Sequence, residues 1–275
     1  MKPLPRAQKS ADDNHRRLYH SKCQTLFLLF NCVFFLALIY VPVFCQDTTD
    51  SEVESKLNQW FQLQTKASAY KTIHRDLLAE IKKLATHDIT TEYLFEKLNQ
   101  GLSKSAPPEQ LLLAIKEDVQ RLIQAKSIIQ MLGQNEGVLI KQANIKSLSI
   151  YIQAGLSMDF FNILLHDYPL FTPIHQTNTD EFTARINQFL LLCEAMVKIG
   201  RASQNNHEEL ARLALAIVKS PIEPKAYETL ASMYTRAKLN HLSDTIIMST
   251  MIEILENKGG IIEITDQLNR RMKYR

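Results

Sequence analysis

Two His-Asp dipeptides, His87-Asp88 and His166-Asp167, are the residues whose types and spacing come nearest to chemistry in this chain. With His74 upstream and Asp118 between them, they form a set able to hold divalent ions, because imidazole and carboxylate ligands suit such metals. A bound ion would then activate water against a phosphate ester. The same residues also have a plainer reading. Asp88 stands directly before an expected helix start, where an aspartate caps, and His166-Asp167 closes a helix, where an imidazolium suits the dipole. That reading is preferred, so no residue is assigned as catalytic, cofactor-binding or metal-ligating, and no cofactor is expected.

Other reactive types are explained by their neighbours. Cys193 lies among Phe189, Leu190, Leu191, Leu192, Met196 and Val197 and reads as a small buried hydrophobe, since a reactive thiol needs cations and exposure. His207, beside Glu208 and Glu209, and His241 read as surface positions, and Trp60, Tyr70 and Tyr93 as core aromatics. There is no Gly-rich phosphate loop, no His pair flanking a Glu at helical metal spacing, and no Gly-flanked nucleophilic Ser. Only 7 glycines are present in 275 residues, which leaves little material for tight backbone cradles.

The elements that carry these residues are helices. Hydrophobic residues make up 45% of the chain, enough for a core, and Leu, Ile, Ala, Lys, Glu and Gln fill the stretches between few Gly and Pro. The net charge of +3 sits in the leader: residues 1–24 carry +4, residues 25–45 none, and the remainder −1. A nearly neutral body lacks the basic footprint that phosphate neutralisation requires, so no nucleic-acid partner is expected. The basic end, Arg270, Arg271, Lys273 and Arg275, reads as a solvated helix terminus.

From Thr25 to Cys45 the chain is apolar and uncharged, including Leu26 to Phe30 and Val33 to Ile39. Such a run is long enough to cross a hydrocarbon layer, as a signal peptide or as an anchor. The cations ahead of it hold the N-terminus in the cytoplasm, which sends the body outside. Val43, Phe44, Cys45 and Gln46 favour cleavage after Cys45; the alternatives are an uncleaved anchor, lipidation of Cys45, and a leader that extends upstream of the true start. An exported location, periplasmic or secreted, follows, with the membrane as partner if residues 25–45 are retained.

Residues 46–55 are polar and acidic and read as a spacer. One long helix is expected from Val53 through Leu57, Trp60, Leu63, Ala67, Tyr70, Ile73, Leu77 and Ile81 to Leu84, spaced by threes and fours. A second opens at Thr90-Thr91 and stops at Gly101, and Ser105 caps a third ahead of Pro107-Pro108. Gly133 to Gly137 ends that helix, and two shorter ones follow. Pro169 and Pro173 mark an internal boundary at 167–180. Helices after it stop at Gly200, at Lys219-Ser220-Pro221 and at Gly259-Gly260. The expected organisation is helical unit 1 at 56–166, linker 167–180 and helical unit 2 at 181–275. The fold is all-α, a helical bundle or short α-solenoid of about nine or ten helices. The matching turns at Lys104-Ser105 and Lys219-Ser220 hint at a duplicated unit.

Gly101 to Leu111 resembles a motif in uncharacterised secreted helical proteins of Gram-negative bacteria, in which a helix ends in Gly-Leu and a Lys and resumes after paired prolines. Val43 to Gln46 is similar to the export signals of spirochaetes. The resemblance implies an extracytoplasmic helical fold and no known activity. The expected function is a non-catalytic binding or scaffolding protein of the bacterial envelope, its partner another protein and no small-molecule substrate identifiable. The alternative is a helical metal-dependent phosphohydrolase using the His-Asp pairs.

Overall fold

Eleven α-helices and no strand make up the described residues of a computed structural model, namely residues 51–133, 140–167, 179–203 and 207–273. The all-α class expected from composition is therefore the class observed. The helices are α1 (51–63), α2 (His74–Thr86), α3 (Glu92–Ser103), α4 (Pro108–Gly133), α5 (Gln142–Gln153), α6 (Met158–Asp167), α7 (Thr179–Ala202), α8 (His207–Lys219), α9 (Tyr227–Leu239), α10 (Asp244–Glu256) and α11 (Ile261–Lys273). The leader, the apolar run, the Cys45 cleavage position and residues 168–178 lie outside the described residues. Among the described residues, no helix is long and apolar enough to cross a membrane. The chain divides into two compact units, Met1–Lys71 and Thr72–Arg275.

In the first unit, the expected spacer is corrected in part: residues 51–55 are already helical. Glu52 and Lys56 pair at 2.8 Å one turn apart, and Val53 begins the buried stripe continued by Leu57 and Trp60. The single long helix is also corrected. It stops at Leu63, and a 3-10 helix runs from Thr65 to Ile73 before α2 begins. Three residues per turn bring Ala67, Tyr70 and Ile73 into line on one edge, and all three are buried. The change of pitch leaves Leu63, assigned to the stripe, 70% exposed. Thr65, Ser68 and Thr72 weaken α-geometry here because their hydroxyls compete for backbone groups.

In the second unit, α4 and α5 pack chiefly on each other, and from α6 to α10 the main contacts are with the next helix but one. One layer runs α2, α4, α6, α8, α10 and the other α5, α7, α9, α11, with α3 on the flank of α4. This is the stacking of helical hairpins in an α-solenoid, where each repeat buries its apolar stripe against its neighbours. The stripes supply the core: Leu111, Ile115, Val119 and Leu122 on α4, and Leu210, Leu213, Ala214 and Ile217 on α8, are all buried. Contacts of α5 with α7 and of α6 with α8 pass across residues 168–178 without a break in either layer. On α11, Ile264 and Leu268 are buried while Arg270, Arg271 and Lys273 stand exposed in the last turn.

Five helices end in the same way, by a Schellman motif. After α2, the amides of Asp88 and Ile89 return to the carbonyls of Ala85 and Leu84; after α3, those of Ser105 and Ala106 return to Leu102 and Gly101. The pattern recurs at Gly155-Leu156, His241-Leu242 and Lys258-Gly259. The turning residue has positive φ each time: Asp88 46°, Ser105 52°, Gly155 115°, His241 63° and Lys258 63°. Asp88 and Ser105 thus close the preceding helix rather than cap the following one. Gly101 and Gly200, expected as stops, lie within α3 and α7. The two Lys-Ser turns differ in construction: Ser105 is left-handed, whereas the Ser220 hydroxyl donates to the Ile217 carbonyl and accepts from the Ile222 amide.

Candidate functional site

The polar faces of α3, α4 and α5 converge on a cleft of about 200 Å³. Leu94, Leu122 and Ile150 line the cleft, and each helix also contributes polar residues at helical spacing along the edge of its apolar stripe. Those from α3 are Tyr93, Glu96, Lys97 and Gln100; from α4, Asp118 and Arg121; from α5, Lys146, Ser149 and Gln153. Leu94 and Leu98, beside these residues on α3, are buried and fix the rotation that presents this face, with Leu94 also bordering the cleft.

Two ion-pair systems hold the helices around the cleft. Lys97 of α3 reaches Asp118 of α4 at 2.8 Å, with side chains 28% and 22% exposed, and Arg121 binds the other oxygen of Asp118. Arg121 also approaches Glu117 at 3.5 Å. On the other side, Lys146 of α5 pairs with Glu96 at 2.7 Å and lies 4.5 Å from the centre of the Tyr93 ring. Partial burial pushes the Tyr93 phenol above its usual range, and the Lys146 charge pulls part of that back. A half-buried pair or a cation over a ring contributes on the order of 0.5–1 kcal/mol, so a competing charged group can open these contacts.

The residues singled out from sequence are not brought together. His74 begins α2, His87-Asp88 ends it, and His166-Asp167 ends α6, where the imidazole Nδ1 and carboxylate lie 2.7 Å apart at an exposed position. Asp118 is engaged by Lys97 and Arg121. Among the described residues, no three His, Cys, Asp or Glu side chains gather as metal ligands. Trp60 and Tyr70 are buried, as expected, but Tyr93 is corrected: it is half-exposed and lines the cleft. Lys97, Arg121 and Lys146 went unnoticed in the sequence. Their signal is one cation on each of three helices, each next to a buried stripe residue: Leu98, Leu122 and Ile145.

His87-Asp88 has a structural role. Lys126 donates to the His87 carbonyl and sits 3.4 Å from the Asp88 carboxylate. The Gln142 amide donates to the Asp88 carbonyl at 2.9 Å and accepts from the Thr90 amide at 3.0 Å, so α4 and α5 clamp the left-handed turn between α2 and α3. Removing the clamp with Gln142→Ala is expected to cost about 1 kcal/mol. Thermal unfolding measures the loss, and faster amide exchange at Thr90 localises it.

Cys193 is fully buried, and burial pushes its thiol strongly up from the ordinary range. At pH 8, the peptide containing Cys193 is expected to stay unmodified by iodoacetamide in the native chain and to react fully in denaturant.

No family model, no curated protein and no solved structure matches this chain.

Proposed function

We propose that this chain is an exported, non-catalytic helical binding module of a bacterial envelope, and that it engages a partner protein through the cleft of α3, α4 and α5. The observation that carries the reading is the two-layered hairpin stack, because such arrays present extended surfaces built for recognition. Size and chemistry of the cleft support a protein partner. About 200 Å³ falls below the roughly 300–1,000 Å³ typical of small-molecule pockets, so a protruding charged side chain suits it better than a free metabolite. Lys97, Arg121 and Lys146 offer that side chain exchange of one ion pair for another at little net cost. Export is supported by the uncharged run at 25–45, with cations on one flank, and by the resemblance of Val43 to Gln46 to export signals. In this reading the body lies outside the cytoplasm, either released after Cys45 or held by residues 25–45.

A photocrosslinking residue at Gln100 or Gln153, both exposed on the cleft rim, tests the reading in intact cells. One discrete adduct from these positions, lost with Lys146→Glu and absent when the crosslinker is moved to the remote position Asn240, is the expected result. Adducts that ignore Lys146→Glu would overturn the assignment of the cleft.

A further inference from the structure

The C-terminal ends of α8 and α10 border a second cleft, of about 400 Å³, whose chemistry differs from the first. Arg212 and Lys219 lie two turns apart on one face of α8, with Leu215 and Ala216 between them, and Lys258 stands just past the end of α10. The three cations are exposed while Leu215, Ala216 and Leu255 are buried, so the rim is basic and the floor apolar. Among the described residues, no carboxylate pairs with Arg212, Lys219 or Lys258, although Glu256 also borders the cleft. Elsewhere in this unit, Lys97, Lys146, Lys198 and Lys238 all have carboxylate partners within 3 Å.

Among the described residues, Lys258 is one of four non-Gly residues that take the left-handed turn at a helix end. It holds φ at 63°, a conformation in which glycine is at ease and a lysine is strained, and a glycine stands one position later. The negative ends of two helix dipoles favour cations here, yet that accounts for single exposed charges and not for their convergence over an apolar floor.

We propose that this cleft binds a phosphate ester on a short apolar stem, its phosphate held by Arg212, Lys219 and Lys258 and its stem lying on Leu215, Ala216 and Leu255. The charges supply selection for the anion, and the floor supplies selection for the ester over free phosphate. The same chemistry is offered by a soluble phosphorylated metabolite and by a phospholipid headgroup. The site shares no residue with the cleft of α3, α4 and α5, so it stands whether or not that cleft binds a protein.

The test is calorimetric titration of the full chain with hexyl phosphate, below its micellar range, and with inorganic phosphate. R212Q/K219Q/K258Q serves as the reference that subtracts binding elsewhere. Hexyl phosphate is expected to bind about tenfold more tightly than phosphate, and at least tenfold more weakly to the triple variant, with thermal unfolding of the variant unchanged. Lys258→Gly separates fold from function: it should raise the thermal midpoint while weakening hexyl phosphate several-fold. Vesicles of phosphatidylglycerol against phosphatidylcholine decide the source, since a lipid headgroup predicts anionic-vesicle binding that falls in the triple variant. Equal affinity for phosphate and its hexyl ester, or hexyl phosphate binding that survives the triple substitution, would overturn the proposal.

Discussion

Phe161→Ala is expected to destabilise the Thr72–Arg275 unit by about 3–5 kcal/mol, which for a unit of this size lowers the thermal midpoint by roughly 10 °C. Phe161 is fully buried on α6, with its ring 5.2 Å from Phe160 at a near-perpendicular angle and 6.3 Å from Phe189 of α7. Truncation removes the ring's burial and leaves a cavity between helices from either side of residues 168–178. The position matters as much as the size. If α6 and α7 share one core, α5 to α8 should lose amide protection together. Loss confined to the helices before residue 168 would show that the two sides fold separately.

Gly101→Val is expected to cost about 2 kcal/mol and to disturb the first cleft. A Cβ at this position would lie 2.5 Å from Cδ1 of Leu111, 2.8 Å from Cδ2 and 3.1 Å from Cγ, so the Leu111 side chain must shift. Leu111 is itself buried, so its shift disturbs the packing of α3 on α4, the two helices that Lys97 and Asp118 bridge. The Gly101 carbonyl also accepts the Ala106 amide, which ties the strain to the helix end. Leu111→Ala in the same chain should recover part of the loss. A double-mutant cycle with no coupling would show that the two residues do not meet as described.

Apolar periodicity carried much of the fold. The stripes of α4 and α8 named above are buried where spacing by threes and fours places them, because a helix with one oily face has one way to hide it. The helix ends were harder to read. Gly is the familiar stop, yet Asp88, Ser105, His241 and Lys258 take the left-handed turn, each held by two returning backbone bonds. At three of the five ends a buried apolar residue follows the turn, Ile89, Leu156 or Leu242, and its burial helps offset the strain of the turn before it. An apolar residue just past a polar helix end is thus the readable signal. The 3-10 stretch escaped notice because Ala67, Tyr70 and Ile73, at steps of three, also fit an α-helical stripe. Residue type alone makes Tyr93 a core aromatic. Only the position of Lys146 from α5, more than fifty residues later, turns it into a cleft wall.

Export of the helical body is the central claim, and the intact mass and location of the chain in cells that make it without a tag test it most directly. The account predicts a product outside the cytoplasm whose mass corresponds to a chain beginning at Gln46. A full-length 31.6 kDa chain, untrimmed and in the soluble cytosol, would contradict it.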